Sequence, residues 1–402
     1  MPPAPLPAPL TAAPLPAAPH RILHVFRAPV GGLFRHVVDL ARLQAGAGHA
    51  VGLLCDATTG GERAERALAD LAPSLSLGVM RVPMRRNPHP GDWLALRAVR
   101  DRAAALGVDV LHGHGAKGGA YARLATAPRG TIRAYTPHGG SYNYRPGTPL
   151  HRLYMAAEAM LARRTDVFLF ESEYVAGRHR AFAGGPERVT RIVHNGISEA
   201  EFAPIVPAAE RYDLLYVGEL REAKGLPVLL EALARLRAEG RALRLLMVGS
   251  GPDADSLRAT VDRLGLTRSV EIEPAQPIRP VLARGRILVV PSFAESLPYV
   301  VLEAAAAAQP LVATDVGGIP EIFGAAAGEL VPARDAGALA GAVARVLDEA
   351  PDARDARVRA LSDSVRQRFS MERMGADVLS GYAAAFRAVR GGARGVGRPE
   401  TA

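Results

Sequence analysis

The chain has 402 residues, of which 49% are hydrophobic and 22% charged, a globular composition that excludes collagen-like and wholly disordered proteins. This length suits two or three domains of about 100–200 residues each, and no segment has the roughly 18 continuous apolar residues of a membrane span. The single cysteine, Cys55, excludes an intramolecular disulfide and a multi-cysteine zinc site and fits a cytoplasmic protein.

The positive charge is concentrated in the first half of the chain. Residues 20–200 carry 24 Lys or Arg and 14 Asp or Glu, a balance of +10, whereas residues 201–402 carry 25 and 26. A basic half suits an acidic acceptor or an anionic membrane surface, although arginine drift in an arginine-rich proteome is an alternative. No nucleic-acid partner is expected, because no helix-turn-helix, finger or aromatic-basic signature is present.

The two ends of the chain are set apart by composition. Residues 1–19 are rich in Pro and Ala and carry no charged side chain, which predicts a disordered arm rather than a signal peptide. Residues 391–402 are predicted to form a disordered tail.

Between the arm and the tail, short apolar runs alternate with helical patterns. The predicted strands are 21–26, 50–55, 110–112, 132–136 and 167–171, then 214–217, 243–248, 270–272, 287–290 and 311–313.

Predicted helices separate many of these strands. One predicted helix begins near residue 33 in the first half. Four more lie near 226–239, 253–264, 299–308 and 335–349 in the second half. Alternating strands and helices predict parallel sheets covered on both faces, and two such series predict two doubly wound α/β domains. The expected boundaries are 20–200 and 201–370, with a final helix at 371–390 that packs back toward the first domain.

A pair of glutamates follows the strand predicted at 287–290. Ser296 is a favourable N-cap and Pro298 is tolerated in a first helical turn, so a helix is expected to start here. Glu295 then lies in the loop, and Glu303 lies about two turns into the helix. The free amides at the helix start suit a diphosphate, and a carboxylate suits the two hydroxyls of a ribose. An ordinary capped helix with two solvated glutamates is the alternative.

The spacing of these glutamates resembles that of retaining glycosyltransferases of the family 4 type. The resemblance extends over about residues 20–390 and includes separate motifs in chain order: Gly31-Gly32 with Arg35-His36, His112-Gly113-His114, Pro137-His138-Gly139, Asn195-Gly196-Ile197, Val217-Gly218, Lys224-Gly225, Gly249-Ser250-Gly251-Pro252, Glu295 to Glu303, and Val316-Gly317-Gly318-Ile319-Pro320-Glu321. It implies the GT-B fold, in which two Rossmann-like domains face a central cleft.

The resemblance also implies an activity and a set of site residues. The activity is transfer of a sugar, with retention, from a nucleoside-diphosphate sugar to a glycan or lipid-linked acceptor in cell-envelope or exopolysaccharide biosynthesis. The implied catalytic residues are His138 and Glu295. The implied donor-binding residues are Gly32, Arg221, Lys224, Leu297, Tyr299, Val300 and Glu303. Candidates on the acceptor side are Gly31, Arg85, Arg86, His112 and Lys117.

Lysine usage supports part of this assignment independently. Lys117 and Lys224 are the two lysines among 49 basic residues, and each is followed by glycine. A lysine is a compact charge that can meet a phosphate, and Lys117 at a helix start calls for an anionic partner. One position departs from the family: Glu219 stands where many members have arginine, which leaves Arg221 as the nearest candidate for the phosphates.

No metal or other cofactor is expected. His112 and His114 share a strand face, but the sequence shows no third ligand beside them. The expected location is the cytoplasm, at the inner face of the plasma membrane if the basic half contacts anionic lipid. Two alternatives are a sugar-nucleotide epimerase of the same fold and a catalytically silent scaffold that binds sugar nucleotides.

Overall fold

The computed structural model describes residues 19–185 and 188–394. It contains two separate parallel sheets, one of seven strands and one of five, so the expectation of two doubly wound α/β domains is confirmed. The predicted disordered arm, apart from residue 19, and residues 395–402 of the predicted tail lie outside the described residues. Residues 391–394 belong to the last helix rather than to a tail.

The first sheet has the strand order β3-β2-β1-β4-β5-β6-β7. Its strands are β1 Arg21–Phe26, β2 Ala50–Asp56, β3 Gly78–Val82, β4 Val110–His114, β5 Ile132–Thr136, β6 Val167–Phe170 and β7 Val189–Ile192. The helices between them are α1 Gly31–Gly46, α2 Gly61–Leu71, α3 Asp92–Leu106, α4 Gly115–Leu124, α5 Pro149–Ala162 and α6 Glu173–Arg178.

The second sheet has the order β10-β9-β8-β11-β12. Its strands are β8 Tyr212–Val217, β9 Leu245–Val248, β10 Val270–Glu273, β11 Gly285–Val290 and β12 Leu311–Ala313. Its helices are α7 Leu226–Ala238, α8 Ala254–Arg263, α9 Ile278–Leu282, α10 Tyr299–Ala306, α11 Ile319–Phe323, α12 Ala336–Asp348 and α13 Pro351–Arg368, and the last described helix is α14 Met371–Arg394.

The central strands are buried on both faces, which explains their nearly continuous apolar runs. In β1, Ile22 packs in one cluster with Val110, whereas Leu23 and Val25 pack in a second cluster with Leu111 on the opposite face. Alternation along each strand therefore supplies two cores, one on each side of the sheet.

Two strands, β3 and β7, were not predicted, and seven helices had no predicted position: α2, α3, α5, α6, α9, α11 and α13. β3 and β7 are the edge strands of the first sheet, and their half-exposed sequences lack a continuous apolar run. The helix α13 is strongly charged, but Val358, Leu361 and Val365 are buried at i, i+3 and i+7. That spacing was the available helical signal.

The chain passes between the two sheets twice, side by side. The N–H of Ile197 donates to the carbonyl of Phe369 at 2.7 Å, and the N–H of Met371 donates back to Ile197 at 3.2 Å. A Cβ at Gly196 would lie 2.7 Å from the Cα of Met371, so the glycine permits this close crossing. α14 then returns to the first sheet, where Tyr382 is fully buried.

No helix in the described part of the chain is long and apolar enough to cross a membrane.

Candidate active site

The loop after β5 holds His138 at the carboxyl edge of the first sheet. His138 has φ of +51° and is followed by Gly139 at +71°. A left-handed conformation is costly for a residue with a Cβ, so the surrounding structure must hold it in place. The N–H of Gly139 donates to the carboxylate of Glu171, which follows β6. Burial keeps the pKa of His138 well below its usual value, so the imidazole is neutral.

The loop after β11 holds Glu295, which is 8% exposed. Its Oε1 accepts hydrogen bonds from Lys224 Nζ at 2.7 Å and from the Ser292 hydroxyl at 2.7 Å. Lys224 lies in the loop between β8 and α7. The structure therefore brings together the predicted catalytic carboxylate and the predicted phosphate-binding lysine, although they are 71 positions apart.

Glycines allow this loop to pack closely against its neighbours. A Cβ at Gly317 would lie 1.7 Å from the carbonyl oxygen of Glu295, and one at Gly225 would lie 1.9 Å from that of Pro291. Both glycines also have positive φ, at +61° and +68°. The glycine motifs beside Lys224 and before α11 thus serve to place the backbone that carries Glu295.

The helix α10 begins at the first residue of the span predicted at 299–308, but its N-cap differs from the expected one. It starts at Tyr299 after Pro298, and no side chain caps it, so the expectation that Ser296 is the N-cap is wrong. The reason is tertiary: a Cβ at Gly318 would lie 2.1 Å from the carbonyl oxygen of Ser296, so this segment is packed as a loop. Glu303 consequently lies about one turn into the helix rather than two.

Glu303 is paired with Arg35 of α1, whose role the sequence analysis missed. Arg35 donates to Glu303 and also to both carboxylate oxygens of Glu201, at 2.8 and 2.7 Å. Its guanidinium lies 4.4 Å from the centre of the Tyr299 ring. Burial raises the pKa of Glu303, and the charge of Arg35 opposes this rise. The available signal was the position of Arg35 just after the Gly31-Gly32 pair that begins α1.

The first and second domains touch directly at this point. A Cβ at Gly32 would lie 3.2 Å from Cδ2 of Tyr299. The side-chain amide of Asn195 donates to the carbonyl of Leu297 at 2.7 Å. The predicted donor residues Gly32, Leu297 and Tyr299 therefore meet across the domain interface, and Val300 follows as the second residue of α10.

The segment after β6 links the His138 loop to the Glu295 loop. Glu171 holds the backbone of Gly139, and the next residue, Ser172, lies 3.1 Å from where a Cβ of Gly318 would be. Glu321 at the start of α11 accepts the backbone N–H groups of Glu173 and Tyr174 of α6, both at 2.9 Å. The carboxyl edges of the two sheets thus face one shared cleft.

A cluster of histidines lies behind His138. His24, His36, His112 and His114 are all at most 1% exposed. His24, His112 and His114 could together hold a metal ion, and so could His36, His114 and His138. The sequence shows no third ligand beside His112 and His114, whereas the structure supplies His24 from β1. Cofactor-free chemistry remains a prediction.

The acceptor-side candidates are more scattered. His112 is fully buried, with its ring nitrogens bonded to the hydroxyls of Tyr382 and Thr136, so the structure does not bring it to the cleft surface. Lys117 is paired with the carboxylate of Asp92 on α3, so its anionic partner lies within the chain.

The remaining candidates are accessible. Arg85 and Arg86 are exposed in the loop between β3 and α3, and Gly31 starts α1 with open space around it. Arg221, the candidate for the phosphates, lies 3.7 Å from the Glu219 carboxylate.

Two doubly wound domains, with basic and acidic side chains of both lining one cleft, define a glycosyltransferase architecture of the GT-B type. The model of Glycosyltransferase Family 4 matches residues 30–201, and that of Glycosyl transferases group 1 matches residues 211–349. The chain is 30% identical to glycogen synthase of Mycobacterium tuberculosis over 390 residues, covering 90% of this chain and 93% of that protein. The chain therefore belongs to the group 1, family 4 glycosyltransferases.

Solved structures show the same fold at lower identity. Sucrose-phosphate synthase from Thermosynechococcus elongatus superimposes with a TM-score of 0.74 at 22% identity, over 92% of this chain and 100% of that one. HepE from Anabaena in complex with UDP-glucose gives a TM-score of 0.73 at 16% identity, over 92% and 100%.

Proposed function

We propose that this glycosyltransferase moves a sugar from a nucleoside-diphosphate sugar to a glycan or lipid-linked acceptor and retains the anomeric configuration. The observation that carries the proposal is the contact between Lys224 and Glu295 beside the start of α10, since it places a phosphate-binding cation next to a carboxylate that can hold sugar hydroxyls. The complex of HepE with UDP-glucose supports a nucleotide-sugar donor.

The second domain would bind the nucleotide. Lys224, with Arg221, would contact the diphosphate, and the free N–H groups of Tyr299 and Val300 would bind its terminal phosphate. Glu303 would accept hydrogen bonds from the ribose hydroxyls. Since Lys224 and Glu303 already pair with Glu295 and Arg35, the donor exchanges with these side chains as it binds.

The chemistry follows from the charges around the departing diphosphate. Cleavage of a glycosidic bond passes through an oxocarbenium-like state, in which negative charge grows on the leaving group. A fixed ammonium and fixed amides stabilise that charge at little reorganisation cost. His138 and Glu295 would hold the sugar hydroxyls from the two sides of the cleft, and no metal is required by this scheme.

A turnover assay tests the proposal. The full chain is incubated with UDP-, GDP- and ADP-sugars, with and without glycan acceptors, and released nucleoside diphosphate, new glycoside and its anomeric configuration are measured. We expect one donor to react and give a product of the same configuration. Glu295→Gln should lower kcat about 100-fold or more, because a fixed transition-state contact is lost. Glu231→Gln, an exposed glutamate on α7, is the matched control.

The alternatives give distinct results in the same assay. Acceptor-independent conversion of one nucleotide sugar into another would indicate the epimerase. Nucleotide binding without turnover of any donor would indicate the scaffold, which Glu219 in place of arginine motivates. A glycoside of inverted configuration would contradict the retaining mechanism while leaving the transfer activity in place.

We further propose that the first domain meets an anionic acceptor or lipid surface, as in assembly of a cell-envelope polysaccharide. Its basic excess supports this, and so does the exposed surface around Arg85 and Arg86. Trp93 and Leu94, at the start of the adjacent helix α3, are 62% and 63% exposed. Basic groups beside exposed apolar side chains suit the surface of an anionic bilayer.

Vesicle sedimentation tests the lipid surface. At about 10 mM salt, where the Debye length is roughly 30 Å, we expect binding to phosphatidylglycerol vesicles and not to phosphatidylcholine vesicles. The double variant Arg85→Glu, Arg86→Glu should bind at least about 10-fold more weakly, since two attractive charges become repulsive. Arg258→Glu, exposed on α8, is the control, and equal binding by both variants would contradict this site.

A further inference from the structure

Three histidines and a glutamine form a continuous hydrogen-bonded chain that ends at His138. Gln44 Oε1 lies 2.7 Å from His24 Nε2, His24 Nδ1 lies 2.9 Å from His114 Nε2, and His114 Nδ1 lies 3.1 Å from His138 Nε2. Gln44, His24 and His114 are almost completely buried, whereas His138 is partly exposed. The His138 ring is therefore the end of the chain that a ligand can reach.

A side branch fixes the orientation of the Gln44 amide. The hydroxyl of Tyr382 lies 2.7 Å from His112 Nδ1 and 3.3 Å from Gln44 Nε2, and His112 Nε2 lies 2.9 Å from Thr136 Oγ1. A phenol is a good donor and a neutral imidazole a good acceptor, so the shorter contact is an O–H···N bond from Tyr382. The Tyr382 oxygen then accepts a hydrogen bond from the Gln44 NH₂ group. The Gln44 carbonyl oxygen therefore faces His24.

The proton positions follow one after another from that carbonyl. A carbonyl can only accept, so the proton of His24 is on Nε2. A neutral imidazole carries one N–H, so His24 Nδ1 accepts from His114 Nε2–H. By the same rule His114 Nδ1 accepts from His138 Nε2–H, and His138 Nδ1 retains a lone pair. Burial lowers the pKa of His24 to about 4 and keeps that of His114 well below its usual value, which agrees with neutral rings.

We infer that Gln44, His24 and His114 are positioning residues that hold His138 as the Nε2–H tautomer and present its Nδ1 as a hydrogen-bond acceptor to the ligand. The hydrogen bond made by one ring nitrogen of a histidine determines whether the other nitrogen carries the proton. Here the proton position of His138 is determined through Gln44, His24 and His114. The role toward a sugar rests on the proposed function, whereas the tautomer does not.

This tautomer specifies what His138 recognises. An acceptor nitrogen binds a hydroxyl group that donates its hydrogen, and it repels a ring or carbonyl oxygen that can only accept. The donor sugar must therefore present a free hydroxyl to His138. A donor that is deoxygenated or methylated at that position is expected to react poorly.

The tautomer can be measured without a ligand. The full chain is labelled with ¹⁵N-histidine, ring nitrogens are recorded by long-range ¹H–¹⁵N NMR, and His138 is assigned with His138→Asn. In the wild type we expect protonated Nε2 and unprotonated Nδ1. Gln44→Leu should lower the population of this form, and Gln44→Glu, which keeps an acceptor, should restore it. His49→Asn, which changes a histidine outside the chain, is the control.

Two results would overturn the inference: a wild-type His138 that carries its proton on Nδ1, or an unchanged His138 tautomer in folded Gln44→Leu. The wild-type spectrum decides the first point even if the variant does not fold. With an active donor, kcat/KM of Gln44→Leu should fall about 10- to 100-fold, the usual effect of one lost polar contact, and recover in Gln44→Glu. Absence of any turnover would refute the proposed function, and the spectra would still decide this inference.

Discussion

Glu171 is a buried carboxyl group between the His138 loop and the second domain, and it makes stability depend on pH. Burial raises its pKa from 4.5 to about 7. The folded state therefore binds this proton more tightly than the unfolded state, and stability is lost as pH rises from about 4.5 through 7. The loss amounts to about 3 kcal/mol above pH 7, at roughly 1.4 kcal/mol per pKa unit.

Glu171→Gln should remove that loss. Urea unfolding at pH 5 and pH 8 would show the variant gaining about 3 kcal/mol on the wild type between the two pH values. Titration of the histidines changes the unfolding free energy of both proteins equally, so it cancels in the comparison. A constant difference between variant and wild type at the two pH values would show that Glu171 is not a raised, buried acid.

For individual residues, the sequence indicated which side chains belong to the site but not which side chains they contact. The pair Glu295 and Glu303 and the rare lysine Lys224 were recognisable from motif and usage, and the structure brings all three to one cleft. Arg35 could not be assigned, because its partners Glu303 and Glu201 are distant in sequence. For the same reason, the internal partner of Lys117 could not be foreseen.

Among the elements of the fold, the packing of the loop that carries Glu295 depends on Gly317. The backbone there has φ of +61°, and any Cβ would collide with the carbonyl of Glu295. We expect Gly317→Ala to cost about 2 kcal/mol or more of unfolding free energy and to displace the Glu295 loop, because neither the strain nor the contact can be relieved locally.

Chemical denaturation and the donor assay measure both effects of Gly317→Ala. The control is Gly328→Ala in the same domain, since a Cβ at Gly328 would meet nothing within 4 Å. We expect Gly328→Ala to behave as wild type within about 0.5 kcal/mol. If Gly317→Ala were equally neutral, the glycine would not be what seats Glu295.

The central strands and the edge strands of the second sheet were predictable, whereas the edge strands of the first sheet were not. β1, β5 and β11 have the continuous apolar runs that burial on two faces requires, whereas β3 and β7 are partly exposed and carry fewer apolar side chains. The N-cap of α10 was misplaced because local capping rules favoured Ser296, while contact with Gly318 holds that residue in a loop. Tertiary packing thus overrides the local signal where it conflicts with the cleft.

At the scale of the whole molecule, Glu321 joins the two domains. Its carboxylate accepts the first N–H groups of α6 and lies 3.2 Å from His194 Nε2. Removing it leaves the N–H groups of Glu173 and Tyr174 without their acceptor across the interface. We expect Glu321→Ala to open the cleft, seen as a larger radius of gyration in small-angle scattering and as a raised KM for the donor.

Glu329→Ala is the matched control for domain closure, because Glu329 pairs with Arg357 inside the second domain. Its scattering curve should match that of the wild type. An unchanged curve for Glu321→Ala would indicate that the other contacts, such as Arg35 with Glu303, suffice to hold the domains together.

The two-domain architecture could be predicted because each domain repeats one local pattern of strand and helix. The relative placement of the domains could not, since it depends on pairs such as Gly32 with Tyr299 and Asn195 with Leu297, which no local pattern marks.

The central claim is that the second domain binds a nucleoside diphosphate through Lys224 and Glu303. Thermal unfolding with UDP, GDP, ADP and their sugar conjugates, with and without EDTA, tests it most directly, since a ligand that binds the folded state raises its stability. The controls are Arg237→Ala and Glu231→Ala, two exposed sites on α7. We expect one nucleotide to stabilise the wild type and the controls but neither Lys224→Ala nor Glu303→Ala, in EDTA as without it. Equal stabilisation of all five proteins would contradict the site.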